Sequence, residues 1–327
     1  MSPRVYINEV APRDGLQMES CFVPTANKVA FVDALSDCGF ATIEVSAFVS
    51  AKAIPALADA EAVLGQIHRH PGVRYSALVP NRRGLERALE IGRVDEVNLV
   101  MSSSEAHNQA NLRMSRASSE ALLLELIAQA NAAGVAAQVS LSTAFGCPFE
   151  GAVSHAEVLR LATRMRAGGA AGITLCDTTG MADPASVRRL LQRAADVLSL
   201  EDITLHLHDT RGLALANALA GFDAGVTRFD GSCAGLGGCP YAPGASGNVG
   251  SEALTHLFRS MGVETGVDLD RLLAIARTVP ELIQRELPNP LLRAGPLQAG
   301  PLPDPQQHDG DKRHGQHIDR SAAHAAV

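Results

Sequence analysis

The sequence predicts a (β/α)8 barrel. Short apolar or β-branched runs alternate with longer helical patterns, the strand-then-helix units number eight, and together they fill roughly 250 residues, the usual span of that fold. Strands are expected at residues 5–10, 42–45, 74–79, 96–101, 136–142, 172–176, 204–208 and 228–232, where run length and side-chain type suit a buried sheet. Helices are expected at 26–38, 56–67, 82–91, 118–133, 155–167, 184–197, 213–224 and 249–261, where apolar residues recur at helical spacing. Thr25 reads as a cap before the first helix and Asp183-Pro184 before the sixth. Gly39, Gly92, Gly134 and Gly225 fall where helices should end. A doubly wound parallel sheet shows the same alternation and stays open as the alternative. Residues 1–287 are expected to form one catalytic domain, with one or two extra helices over 269–286. Residues 288–327 read as a Pro-rich, then polar, disordered tail. Its histidines (His308, His314, His317, His324) match no ligand spacing and suit a solvated segment.

Composition narrows the function classes. The chain has 327 residues, is 46% apolar and carries a formal net charge of −7, so it can build a large core without staples. No block of like charge occurs, which argues against a nucleic-acid surface or a basic membrane patch. Cys21, Cys38, Cys147, Cys176, Cys233 and Cys239 are scattered without CxxC pairs and read as reduced thiols. No run is apolar enough to span a membrane, and no signal or transit pattern is read before the first strand. A cytoplasmic location and a homo-oligomer, taken as a dimer, are the expectations.

Polar residues at strand ends carry the chemistry. Arg13-Asp14-Gly15-Leu16-Gln17 follows the first strand, where barrels place catalytic loops. Asp14 offers a hard oxygen ligand and Arg13 a planar cation for a developing oxyanion, although the pair alone also suits a solvated turn. His206 and His208 alternate on the seventh strand and so share a face. Their Cα atoms are then roughly 6.7 Å apart, close enough for one cation. Two hydrogen-bonded core histidines are the other reading. The Gly-rich segment 234–248 holds Cys239 and ends on Asn248. It can present a thiol on a closing loop, or be a plain surface loop with Asn248 capping the next helix. Glu44, Glu9 and Asp177 are acids in apolar strands or at a strand end and need partners if buried. Asp14, His208, Cys239 and Asn248 all fall at one rim of the expected barrel. One carboxylate, two imidazoles and one amide oxygen, with no thiolate among them, suit a divalent cation, Mg²⁺ or Mn²⁺ before zinc.

The segments Pro12-Arg13-Asp14-Gly15-Leu16-Gln17, Gly146-Cys147-Pro148-Phe149-Glu150-Gly151, His206-Leu207-His208-Asp209-Thr210 and Gly235-Leu236-Gly237-Gly238-Cys239-Pro240-Tyr241-Ala242 resemble those of 3-hydroxy-3-methylglutaryl-CoA lyases. The resemblance implies a TIM barrel that cleaves its thioester to acetyl-CoA and acetoacetate with a divalent cation, in leucine degradation and ketone-body formation. It makes Asp14, His206, His208 and Asn248 the metal ligands and Arg13 the stabiliser of the enolate oxygen. Cys239 becomes the acid that protonates the acetyl-CoA carbanion, and Glu44 an active-site carboxylate. Glu9 and Asp177 become supports. The reaction also needs a base for the tertiary hydroxyl, read as His206 or Asp14 acting through the metal shell, and Gln17, Phe149 and Gly237 are the expected substrate contacts. Phe149 stands where tyrosine is frequent in that family and Ala47 where serine is common, so a related branched 3-hydroxyacyl-CoA is an alternative substrate. Related Claisen-type synthases, keto-acid aldolases and a non-catalytic CoA-binding scaffold are the other readings. The synthases read H-x-H-N-D and lack the loop cysteine, whereas Asp209 directly follows His208 here.

Overall fold

In the computed structural model, described over residues 3–238, 247–287 and 289–295, the strands run in one closed parallel ring from β1 to β8. They are β1 (Tyr6–Glu9), β2 (Thr42–Ala47), β3 (Arg74–Val79), β4 (Glu96–Ser102), β5 (Ala136–Ser142), β6 (Gly172–Asp177), β7 (Ile203–Leu207) and β8 (Arg228–Gly231). The closing pair sets Asn8 of β1 opposite Asp230 of β8, which excludes the doubly wound alternative. Helices cover the outside: α1 (Thr25–Ser36), α2 (Ala60–Gln66), α3 (Arg82–Ile91), α4 (Glu105–Leu112), α5 (Arg116–Ala132), α6 (His155–Ala167), α7 (Pro184–Ala194), α8 (Ala214–Asp223) and α9 (Ser251–Ser260). After them come α10 (Leu269–Ala276), α11 (Val279–Ile283) and α12 (Pro290–Ala294). None of the described helices is long and apolar enough to cross a membrane.

The two faces of the strands differ sharply. Outward residues such as Ile7, Ile43, Val97, Leu205 and Phe229 are 0% exposed, and each contributes roughly 1.5–3 kcal/mol by burial against the helices. The inward face carries Asn8, Glu44, Asn98, Gln138, Thr174 and Asp230. Buried polar groups need partners, and these find one another: Asn8 Nδ2 donates to Asp230 Oδ1 at 2.9 Å and Gln138 Nε2 to Thr174 Oγ1 at 3.0 Å. The barrel interior is thus a polar network ready to support a site.

Several local expectations change. Thr25 is the first residue of α1 rather than its cap, and its hydroxyl donates to Asp59 Oδ2 at 2.7 Å. Asp183 caps α7 as expected, in a reciprocal box with Ser186. The helix expected at 249 begins at Ser251, so Asn248 caps nothing. α4 was not foreseen. Ser104 caps it by accepting from the His107 amide. The compact unit reaches Ala294, beyond the expected boundary at 287. Arg285 pairs with both oxygens of Glu19, at 2.9 and 2.6 Å, and Asn289 donates to buried Glu252. The expected tail from 296 onward lies outside the described residues.

Candidate metal centre and substrate cavity

Arg13 and Asp14 sit in a wide π-type turn, Ala11–Gly15, directly after β1. Val10 carbonyl oxygen accepts from the amides of Arg13, Asp14 and Gly15, which turns both side chains over the barrel mouth. A Cβ at Gly15 would meet Leu236 Cβ at 2.8 Å, so only glycine lets this turn pack against the loop after β8. Arg13, 8% exposed, donates through Nη1 to Asp14 Oδ1 and through Nε to Glu44 Oε2 at 2.5 Å.

His206 lies near the end of β7, opposite Cys176 and Asp230 on the neighbouring strands. His208 falls just beyond β7 and forms an antiparallel bridge with Asn248. The chain after the glycine loop returns here: the Val249 amide donates to Leu207 carbonyl oxygen at 3.0 Å. The side chains then converge. The Nε2 atoms of His206 and His208 are 3.1 Å apart, and they lie 3.8 and 4.0 Å from Asp14 Oδ2. Asn248 Nδ2 donates to that same oxygen at 2.7 Å. Ligand atoms around a cation with bonds of about 2.1 Å stand roughly 3–4.2 Å apart, so Asp14, His206 and His208 fit one divalent ion. Among the described residues, Asn248 Oδ1 is buried without a hydrogen-bond partner, and Asn248 is the neighbouring group that could turn an amide oxygen to such an ion. Two imidazoles turned nitrogen to nitrogen are also more readily explained by a shared cation than by packing.

Supports surround this cluster. Asp230 Oδ2 lies 3.2 Å from His206 Nδ1 and orients the ring, a task sequence reasoning missed. Glu44 points inward, as an acid with Arg13 for a partner must, and also accepts from Asn98 Nδ2 at 2.8 Å. Glu9 faces the other way. Its Oε1 accepts from the amides of Ala11 at 2.8 Å and Cys233 at 2.9 Å, and its Oε2 from Ser251 Oγ at 2.7 Å. One carboxylate thus ties the turns after β1 and β8 to the start of α9. Asp177 accepts from the amides of Met181 and Ala182 and shapes the loop after β6.

The cluster floors a cavity of about 430 Å³. Arg13, Asp14, Gln17, His206 and His208 line it, as do His107 and Asn111 from α4. Gly237 is buried beside Asn248, and a Cβ there would meet Asn248 Nδ2 at 2.6 Å. Phe149 is 51% exposed and packs its ring 6.2 Å from that of His107, so it stands outside the wall. Ala47 belongs to the apolar core. Cys239 lies outside the described residues.

Burial sets the charge states. It opposes ionisation of Asp14, but Arg13, His206 and His208 together hold its carboxyl below the usual range. His208 is pulled down to about 4 by burial and by neighbouring His206, leaving a neutral imidazole. Burial opposes the charge on His206, and the hydrogen bond to Asp230 with the charge of Asp14 outweighs it, raising the pKa. Burial lifts Asp177 to about 6 against its two amide donors. Glu9 is lifted from 4.5 to about 8 by burial, against its three donors. Between those values the folded protein binds more protons than the unfolded chain, so this group makes stability fall as pH rises. Glu9→Gln should flatten that part of the stability profile. Urea midpoints measured across the window check it, and a slope equal to wild type would contradict the assignment.

Residues 4–279 match the HMGL-like family over nearly the whole barrel. The chain belongs to that family. A member from Bacillus subtilis, hydroxymethylglutaryl-CoA lyase YngG, is 43% identical over 88% of this chain and 95% of its own length. The mitochondrial hydroxymethylglutaryl-CoA lyase of Rattus norvegicus is 38% identical over 89% of both chains. Among solved structures, a 3-hydroxy-3-methylglutaryl-CoA lyase from Acinetobacter baumannii, in complex with coenzyme A and 3-methylmalate, superposes with a TM-score of 0.87. Its identity is 44%, covering 92% of this chain and 98% of that one.

Proposed function

We propose that this protein is a divalent-cation-dependent carbon–carbon lyase that cleaves 3-hydroxy-3-methylglutaryl-CoA to acetyl-CoA and acetoacetate. The observation that carries the reading is the gathering of Arg13, Asp14, His206, His208 and Asn248 at one barrel mouth, in a chain of this family. The cleavage is a retro-Claisen reaction, which needs no redox cofactor. Asp14, His206, His208 and Asn248 hold the cation, which when bound acts as a Lewis acid on the substrate's tertiary hydroxyl. The hydroxyl proton passes to the Asp14, His206 and Asp230 cluster. As the carbon–carbon bond breaks, charge moves onto the thioester oxygen, where the Arg13 guanidinium meets it. Cys239, on the glycine loop, then delivers a proton to the acetyl-CoA carbanion. Glu44 keeps Arg13 aimed into the cavity.

The test is release of acetyl-CoA from 3-hydroxy-3-methylglutaryl-CoA and related branched thioesters, after chelation and after return of Mg²⁺ or Mn²⁺. Release from the first thioester, lost on chelation and regained on return, is expected. No release from any thioester would sink the reading. Cys239→Ala should abolish most turnover and leave substrate binding largely intact, and wild-type turnover in that variant would remove the proposed proton donor.

A further inference from the structure

A hydrogen-bonded row crosses the cavity floor from the turn after β1 to β5. Arg13 Nε donates to Glu44 Oε2 at 2.5 Å, Asn98 Nδ2 donates to Glu44 Oε1 at 2.8 Å, and Ser140 Oγ donates to Asn98 Oδ1 at 2.8 Å. Each oxygen of Glu44 therefore has one donor, a guanidinium on one side and an amide on the other. Glu44 is 3% exposed, and an ionised carboxylate that deep is stable only when both oxygens are served. An amide can present either end to a neighbour. The hydroxyl of Ser140 on Oδ1 holds that end away from Glu44, and the flipped amide would set oxygen against carboxylate. Strand geometry supports the row. Asn98 and Ser140 both point inward, and the β4–β5 register sets Val100 opposite Ser140 and Asn98 opposite Gln138, so the Ser140 contact with Asn98 is diagonal across the pair. Both residues reach the cavity.

We propose that Asn98, oriented by Ser140, is a positioning residue for the reaction: it fixes Glu44 in the one rotamer that aims the Arg13 guanidinium at the substrate. Asn98→Ala leaves Glu44 Oε1 without a donor, so Glu44 turns and carries Arg13 with it. A hydrogen bond to a charged group contributes about 1.5–3 kcal/mol, which corresponds to roughly a 10- to 100-fold fall in kcat. KM should stay near wild type, because Arg13 acts on charge that develops only in the transition state. Ser140→Ala should lower kcat less, and in the Asn98→Ala background it should add nothing, because Ser140 acts only through the amide.

The experiment is steady-state acetyl-CoA release by wild type, Asn98→Ala, Ser140→Ala and the double variant, with a thermal melt for each. Wild-type kcat in Asn98→Ala overturns the proposal. So does full additivity of the two single effects, or an effect confined to KM, which would make Asn98 a substrate contact. If Asn98→Ala does not fold, Asn98→Asp and Ser140→Ala carry the test. Asn98→Asp sets like charge against Glu44 and should lower kcat at least as far, and wild-type kcat in both overturns the idea. The inference rests on the lyase reading, and the two fail differently. An inactive wild type sinks that reading, whereas an active wild type equalled by Asn98→Ala sinks only the role of Asn98.

Discussion

Arg13→Met should lower kcat for acetyl-CoA release by about 10²–10³-fold, the usual loss when one preorganised oxyanion donor is removed. Among the described residues that line the cavity, Arg13 is the only arginine or lysine. No second fixed side-chain cation among those residues can replace it at the thioester oxygen. The substitution also strips Asp14 and Glu44 of their cation, and breaking a buried pair costs about 3–5 kcal/mol. A drop in melting temperature should therefore accompany the loss of turnover. Arg13→Lys separates the two effects. It restores the charge, but an ammonium is a point charge that lacks the fork spanning Asp14 and Glu44. Stability should recover more than kcat does. Near wild-type kcat in Arg13→Met would remove Arg13 from the chemistry.

His208→Ala should weaken cation affinity by about 100-fold or more, because even indirect partners of metal ligands are worth roughly 10–100-fold. The ring is buried, and burial with the charge of His206 keeps it neutral at ordinary pH, the form that binds metal. Its loss leaves Asp14, His206 and Asn248, too few protein donors for tight binding. Calorimetry with Mn²⁺ checks this, and wild-type affinity would contradict the ligand assignment. The pH dependence follows from His206, whose pKa stands above the usual value. Binding must displace that proton, so wild-type affinity should rise as pH climbs through and above the ordinary histidine range.

Much of the molecule was legible in the residue order. The strands at 74–79 and 136–142 and the helices at 82–91 and 155–167 have the bounds expected of them, because period-two and helical patterns are local. The His206-His208 pair was readable for the same reason, since strand parity sets residues two apart on one face, and Arg13-Asp14 was readable from its place directly after the first strand. Asp230, Asn98 and Ser140 were not readable as site residues. A polar residue in a short strand looks the same whether its face meets water or the inside of a barrel. α4 was also missed, because polar Glu105, His107, Asn108 and Gln109 obscure its apolar spacing.

The amino-acid order by itself determined the strand and helix units, the metal-type donors and their placement near strand ends, since each depends on neighbours within a few positions. Closure of the ring, a contact between β1 and β8 across more than two hundred residues, belongs to tertiary structure alone. So does the choice of partners: Glu44 for Arg13, Asp230 for His206, and Glu9 for Ser251, 242 positions away. Which buried charge meets which donor depends on distances in space, and those exist only once the sheet has closed and water has been driven from between the side chains.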